Sequence, residues 1–334
     1  MQHEEEVCLN SNWTPTARQL IDKRLWILGY GSEDFQDDMR AIDSLREHSS
    51  HIDAYADFAF QLQSDGQFAG QINQLALQET IARNIAPLIL FHNFDGKTFD
   101  PQPIRAVLSS TASQQNCIRH MIKLLPPTAA GVHVDFEAVE APYQIPFLDF
   151  LESLRTTLHD QGLLLTIAIP AKHSEQEAPG YDFAGIGHLC DSITLMTYDE
   201  HYSGGSPGPV ASLPWMTESL DYAIRYIPHD KLLLGIPVYG YDWSNEPTNI
   251  VPMRDIPELV AQTRACIEWS DQAVEPYFYY WRARLKHTIW YENELSAKIR
   301  LGLVKSYQLR GIAIWRLGYE TSRFWQEVTS KLKR

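Results

Sequence analysis

The sequence predicts an α/β protein built as a closed (β/α)8 TIM barrel, and three observations predict it. Eight short apolar runs recur along the 334 residues, each followed by a polar loop and then by a segment with apolar residues at helical spacing. The runs are continuous rather than alternating, as expected of parallel strands covered on both faces. No glycine-rich phosphate loop follows the first run, which removes the usual mark of the rival architecture, an open doubly wound sheet.

The runs begin near Leu25, Ile52, Pro87, Gly131, Leu163, Ser192, Lys231 and Gly311. Segments Ile72 to Ile85, Gln115 to Leu125, Phe147 to Leu158, Glu218 to Ile227 and Glu294 to Leu309 each carry an apolar stripe opposite a more polar face, the pattern of helices packed on a sheet. Successive strand starts lie 27 to 44 residues apart until Lys231, after which the gap to Gly311 is 80. That is about two β/α units, so an insertion is expected between strands seven and eight, about residues 242–291. Within it, Pro276 to Trp281 and His287 to Tyr291 read as two aromatic strands about a charged turn, Arg282 to Lys286. The first 20 residues read as a loosely held arm, and residues 21–334 as one barrel.

Composition narrows the function. With 44% hydrophobic and 21% charged residues the chain can bury a large core, and its formal charge of −14 repels a phosphate backbone or an anionic membrane. Neither nucleic acid nor a membrane is an expected partner, and a monomer is expected. The amino terminus is acidic where a secretory signal needs a basic start, and no run of about 18 apolar residues occurs. Packaging in a spore and retention in the cytoplasm both stay open. Cys8, Cys117, Cys190 and Cys266 form no Cys-x-x-Cys pair and read as reduced, mostly buried thiols, with two disulfides as the alternative. No metal-ligand spacing is written among the histidines, and neither metal nor cofactor is expected.

In a barrel enzyme the chemistry sits at the carboxyl ends of the strands. Gly131-Val-His-Val-Asp-Phe-Glu137 places His133, Asp135 and Glu137 at every second position of the fourth strand, all on the interior face, with Glu137 at the mouth. Three titratable groups inside a barrel are costly unless they share protons and hydrogen bonds, which marks this strand as the reacting one.

This run resembles the Asp-Gly-x-Asp-x-Asp-x-Glu signature that closes the fourth strand of the family 18 glycoside hydrolases. Met196-Thr-Tyr-Asp199 is similar to the end of that family's sixth strand, Gly235-Ile-Pro-Val-Tyr-Gly240 to its seventh, and Gly311-Ile-Ala-Ile-Trp315 to its eighth. The stretches Leu195 to Pro209, Leu213-Pro-Trp215 and Gly240-Tyr-Asp-Trp243, with Phe136 in place of the commoner tryptophan, resemble the branch that holds bacterial spore-cortex N-acetylglucosaminidases. Relatives of that branch often carry LysM modules ahead of the barrel, and none is read here. Two positions depart from the signature: Ala130 and His133 stand where the family has aspartates. His133 is either a titrating partner of Asp135, adding a pH dependence near its ordinary value of about 6.5, or a neutral core histidine bonded to Asp135.

The resemblance implies a glycosidase acting on a polysaccharide or glycan strand that contains N-acetylglucosamine, peptidoglycan being favoured over chitin. Asp135 and Glu137, two residues apart on one strand, sit on one side of a sugar, which favours attack by the substrate's own acetamido oxygen over a nucleophile on the opposite face. Glu137 is then expected to be the general acid and Asp135 to orient the acetamido group. Tyr198 is expected to bond the acetamido carbonyl, with Trp315 as the sugar floor. Asp199, Met196, Tyr239 and His133 complete the expected substrate-binding set, and Tyr30, Phe58, Trp215 and Trp243 are candidates to extend the groove. A barrel that binds chitin or peptidoglycan without cleaving it, and a scaffold that docks through the aromatic insertion, are the alternatives.

Overall fold

The computed structural model describes residues 13–35, 37–244 and 248–332. Eight parallel strands, Trp26–Gly31, Ala54–Leu62, Ala86–His92, Gly131–Asp135, Leu164–Pro170, Ser192–Met196, Leu232–Pro237 and Gly311–Trp315, pair in chain order. The first also pairs with the last, in register Trp26↔Gly311 to Gly29↔Ile314, so the sheet closes on itself. Helices lie between the strands, completing a (β/α)8 barrel. Every strand start agrees with the sequence reading within two residues.

Two layers of core explain the continuous apolar runs. Outward side chains such as Ile27, Ile89, Val132, Ile167 and Ile312 pack under the helix ring. Inward ones form a separate cluster, in which Ala54, Ala56, Ala86 and Ala313 leave room for Trp26, Leu28, Leu88 and Tyr30. Ala17 and Leu20 belong to that inner cluster, so the end of the expected arm is a plug rather than a loose segment. Helix Pro15–Ile21, capped by the Thr14 hydroxyl, seats both residues in the barrel floor, and Trp26 Nε1 donates to the Leu20 carbonyl at 2.7 Å. Residues 1–12 lie outside the described residues. Cys117 and Cys190 are buried free thiols and Cys266 is an exposed one; Cys8 also lies outside the described residues. Among the described residues no helix is long and apolar enough to cross a membrane.

Between the seventh and eighth barrel strands stands a second, antiparallel sheet of five strands. Its spatial order is Asn249–Pro252, Tyr239–Trp243, Leu285–Tyr291, Glu275–Arg282 and Glu268–Ser270. Arg282 pairs with Leu285, so the hairpin turn is only Ala283 and Arg284, both at positive φ (50° and 68°) as a tight primed turn requires. One face of this sheet, through Phe278, Tyr280, Ile289 and Tyr291, packs on Ile256 of helix Ile256–Thr263. Buried Arg300 ties the sheet to the barrel, pairing with Glu275 at 3.1 Å and Glu292 at 3.4 Å and donating to the Ala211 carbonyl.

Candidate active site

The fourth strand can lie close to the fifth because residue 131 is glycine: a Cβ there would stand 2.3 Å from the Leu164 carbonyl oxygen. Beyond the strand, three groups hold residues 136–139. The Asn93 side chain, just past the third strand, accepts the Glu137 N–H at 2.8 Å and donates to the Glu137 and Asp100 carbonyls at 2.9 Å each. The Tyr181 hydroxyl donates to the Phe136 carbonyl at 2.7 Å. Phe136 itself is buried on Phe147 and Phe150. Ala138, at φ 60°, turns the chain away directly after Glu137.

Asp135 is buried, and one of its carboxylate oxygens, Oδ1, accepts no hydrogen bond from any described residue. Burial pushes its pKa up to about 7. Glu137 is raised well above the usual carboxylate range, first by burial and then by the charges of Asp135 and Asp199. Three carboxyls with little solvent cannot all ionise, so at neutral pH the cluster retains a proton, and the strongest upward pressure falls on Glu137.

His133 is corrected on two counts. It is 1% exposed inside the barrel, and its ring nitrogens are taken by Tyr30 and Thr166 rather than by Asp135. The Thr166 hydroxyl donates to the Val132 carbonyl at 3.0 Å, so its oxygen accepts from Nδ1–H of His133 at 2.8 Å. Nε2 then accepts from the Tyr30 hydroxyl at 2.9 Å. Both nitrogens are satisfied in the neutral form, and burial pushes the pKa down to about 3, so the expected titration near 6.5 does not arise.

At the end of the sixth strand Met196 is half-buried and Tyr198 is buried. Gly235 of the seventh strand admits the Tyr198 ring: a Cβ at 235 would stand 2.8 Å from Tyr198 Cε1 and 2.6 Å from the Leu195 carbonyl oxygen. Asp199, at φ 61°, accepts the hydroxyls of Tyr239 and of Tyr241, the latter at 2.9 Å, and burial raises its pKa. Tyr239 is therefore a buried support of Asp199. Trp315, half-buried at the end of the eighth strand, meets Tyr30 and Phe58 edge-on at 5.4 and 5.7 Å, and Phe58 stacks on His92 at 3.8 Å.

The structure thus gathers Asp135, Glu137, Tyr198, Asp199, Met196 and Trp315 at the carboxyl ends of strands four, six and eight. Tyr30 and Trp243 are buried and do not extend the groove, and Trp215 lies on helix Leu213–Ala223 against His173. Asn93, Tyr181 and Tyr241 were not singled out from the sequence. Asn93 closes the third apolar run and so carried the strand-end signal; Tyr241 lies inside the quoted stretch Gly240 to Trp243; nothing near Tyr181 marks it.

A (β/α)8 barrel with proton-sharing carboxyls at the carboxyl ends of its strands is an enzyme scaffold equipped for general acid–base chemistry. The family model for glycosyl hydrolases family 18 matches residues 48–320, so the chain belongs to that family and is a glycosidase. Within it, the chain is 25% identical over 292 residues to the cortical fragment-lytic enzyme of Bacillus subtilis, covering 84% of this chain and 68% of that one. The structure of a chitinase from Chromobacterium violaceum superposes with a TM-score of 0.85 at 29% identity, covering 93% and 99% of the two chains. That of the spore cortex-lytic enzyme SleL from Bacillus megaterium superposes at 0.83 with 25% identity, covering 92% and 73%.

Proposed function

We propose that this glycosidase cleaves β-1,4 linkages next to N-acetylglucosamine, in peptidoglycan rather than chitin, with retention of configuration and with the substrate's acetamido group as nucleophile. The observation that carries the reading is the buried Asp135 oxygen with no donor among the described residues, two residues before a carboxyl held protonated just past the end of the same strand. A buried acceptor without a donor is costly, and the amide N–H of an acetamido group is a donor of the right kind.

In this mechanism Trp315 supports the sugar ring and Tyr198 donates its hydroxyl to the acetamido carbonyl. Glu137 transfers its proton to the glycosidic oxygen as that bond to C1 breaks, while the acetamido oxygen bonds to C1. The resulting oxazolinium cation is balanced by ionised Asp135, which accepts the N–H. Glu137, now a carboxylate, takes a proton from water as the water oxygen attacks C1, reopening the acetamide and restoring the acid. Two inversions at C1 leave the configuration unchanged. Asp199 and the neutral His133 act behind this layer, one raising Glu137 and the other fixing Tyr30 and the strand. Support for peptidoglycan comes from the cortex-lytic relatives. A single copy of the chain suffices, since it supplies every group used.

The test is Glu137→Gln, which keeps shape and removes the transferable proton. Reducing-sugar release from a soluble N-acetylglucosamine oligomer should fall by at least about 1000-fold with binding retained. Activity within tenfold of the parent would refute the reading.

A further inference from the structure

We propose that the outer end of the insertion sheet, at Tyr279, Trp281 and the basic turn Arg282 to Lys286, docks the carboxylate-bearing part of a long glycan strand and leads it to the cleft. The proposal deepens the reading above and rests on it.

Strand Glu275–Arg282 alternates cleanly. Phe278 and Tyr280 face the small core under helix Ile256–Thr263, which leaves Tyr277, Tyr279 and Trp281 on the other face. Directly opposed residues in antiparallel strands share a face. By the register, Tyr277 adjoins Trp290 and Trp290 adjoins Tyr241; Tyr279 adjoins Thr288 and Thr288 adjoins Trp243; Trp281 adjoins Lys286. The face is therefore an aromatic sheet surface, with Tyr277 stacked on Trp290 at 4.5 Å, and its inner edge is Tyr241, whose hydroxyl reaches Asp199 in the cleft.

The loop that leaves Asp199 covers the inner part of this face, where Trp243 Nε1 donates to the Tyr202 carbonyl at 3.3 Å. The cover ends at Ser203 to Pro207, leaving a groove of about 320 Å³ between that loop and Thr288 and Lys286. Beyond the groove Tyr279 is 47% exposed and Trp281 68%. Exposed aromatics set side by side mark an interaction surface, and flat ring faces take the C–H face of a pyranose.

Charge selects the occupant. Arg282, Arg284 and Lys286 fall within five residues and all are exposed; Lys286 lies on this face with Nζ 4.7 Å over the Tyr279 ring, Arg284 stands in the turn, and Arg282 alternates to the opposite face, 5.5 Å over the Tyr280 ring, at the rim of the same hairpin tip. In a chain of net charge −14 this turn is a local positive pole beside a sugar-sized groove. Neutral chitin gives it nothing to pair with, whereas peptide-bearing glycan strands supply carboxylates.

The test compares three proteins: the parent, Tyr279→Ala with Trp281→Ala, and Arg282→Ala with Arg284→Ala and Lys286→Ala. Each is measured for melting temperature, turnover of a soluble N-acetylglucosamine tetramer, and co-sedimentation with purified peptidoglycan and with chitin. Folding and tetramer turnover should stay within about twofold of the parent. The aromatic pair should weaken polymer binding about tenfold, as loss of interface anchors does. The charge triple should weaken peptidoglycan binding by a similar factor, leave chitin binding unchanged, and abolish the salt dependence of the parent between about 50 and 500 mM. Undiminished peptidoglycan binding in either variant, an equal loss on both polymers in the charge triple, or a shift in oligomeric state that assigns the face to a second copy of the chain would overturn the proposal. Binding is read without turnover, so a parent that binds but never cleaves refutes the cleft reading alone. A parent that cleaves the tetramer but binds polymer no better than the variants refutes the hairpin alone.

Discussion

Asn93→Ala tests how the acid is positioned without touching it. The Asn93 amide makes three hydrogen bonds at 2.8 to 2.9 Å, two of them to the backbone of residue 137. Each is worth about 0.5 to 1.5 kcal/mol net, so removal costs about 3 kcal/mol before any water enters to satisfy the freed groups. In a chain of this size that lowers the melting temperature by roughly 4 °C. The kinetic cost is separate. With its tether gone, the Glu137 carboxyl no longer sits where the glycosidic oxygen arrives, and a displacement near 1 Å costs about 100-fold in turnover. The assay is kcat and KM on a soluble oligosaccharide beside a thermal melt, with kcat falling and KM little changed. Asn93→Asp sharpens it: the acceptor for the Glu137 N–H remains, both donors are lost, and the added charge moves the basic limb of the pH profile upward. Unchanged kcat in Asn93→Ala, with the melt lowered as expected, would refute the positioning role and leave only a structural one.

Asp135→Asn removes the carboxyl that must ionise to balance the oxazolinium, so the acid limb of kcat/KM near pH 7 should disappear. The basic limb should move to lower pH because the negative neighbour that raises Glu137 is gone; a profile identical to the parent would contradict this. Linkage gives a second readout. A carboxyl whose pKa is raised on folding destabilises the fold progressively as pH climbs from its unfolded value, about 4, to its folded one, so the variant should gain stability over the parent more at pH 8 than at pH 5 in parallel melts. His133→Ala should cost about 3 kcal/mol through the cavity and the two lost bonds, while the acid limb of the remaining activity stays in place, because a histidine held near 3 is neutral throughout. Tyr198→Phe should lower kcat roughly 100-fold on N-acetylated substrate, the loss expected when the group that holds the attacking oxygen in line with C1 is removed.

The barrel was legible because its strands are buried on both faces, which leaves runs such as Leu232–Pro237 with no polar interruption. The helices were legible unevenly. Arg40–His48 has a clear apolar stripe, with Ala41, Ile42 and Leu45 turned inward, and went unread, whereas Phe183–Leu189 contains two glycines and shows no period that separates it from a loop. The chemistry-bearing residues at strand ends could be read because strand parity fixes which way they face. Their partners could not: Tyr30 reaches His133 across 103 residues and Asn93 reaches Glu137 across 44, contacts that closure of the barrel creates and no local pattern records. The same closure explains the misreading of His133, whose environment is set by strands one and five rather than by its neighbour Asp135. The plug at Pro15–Ile21 was missed for a related reason, since seven residues with two buried positions give no helical period.

The central claim, that the substrate's own acetamide attacks C1 while Glu137 gives up its proton, is tested most directly by the anomeric form of the first product. Proton NMR of an N-acetylglucosamine oligomer during the first minutes of hydrolysis, before mutarotation, should show the new reducing end as the β anomer. An α anomer appearing first would mean a single displacement by water, and the account would be wrong.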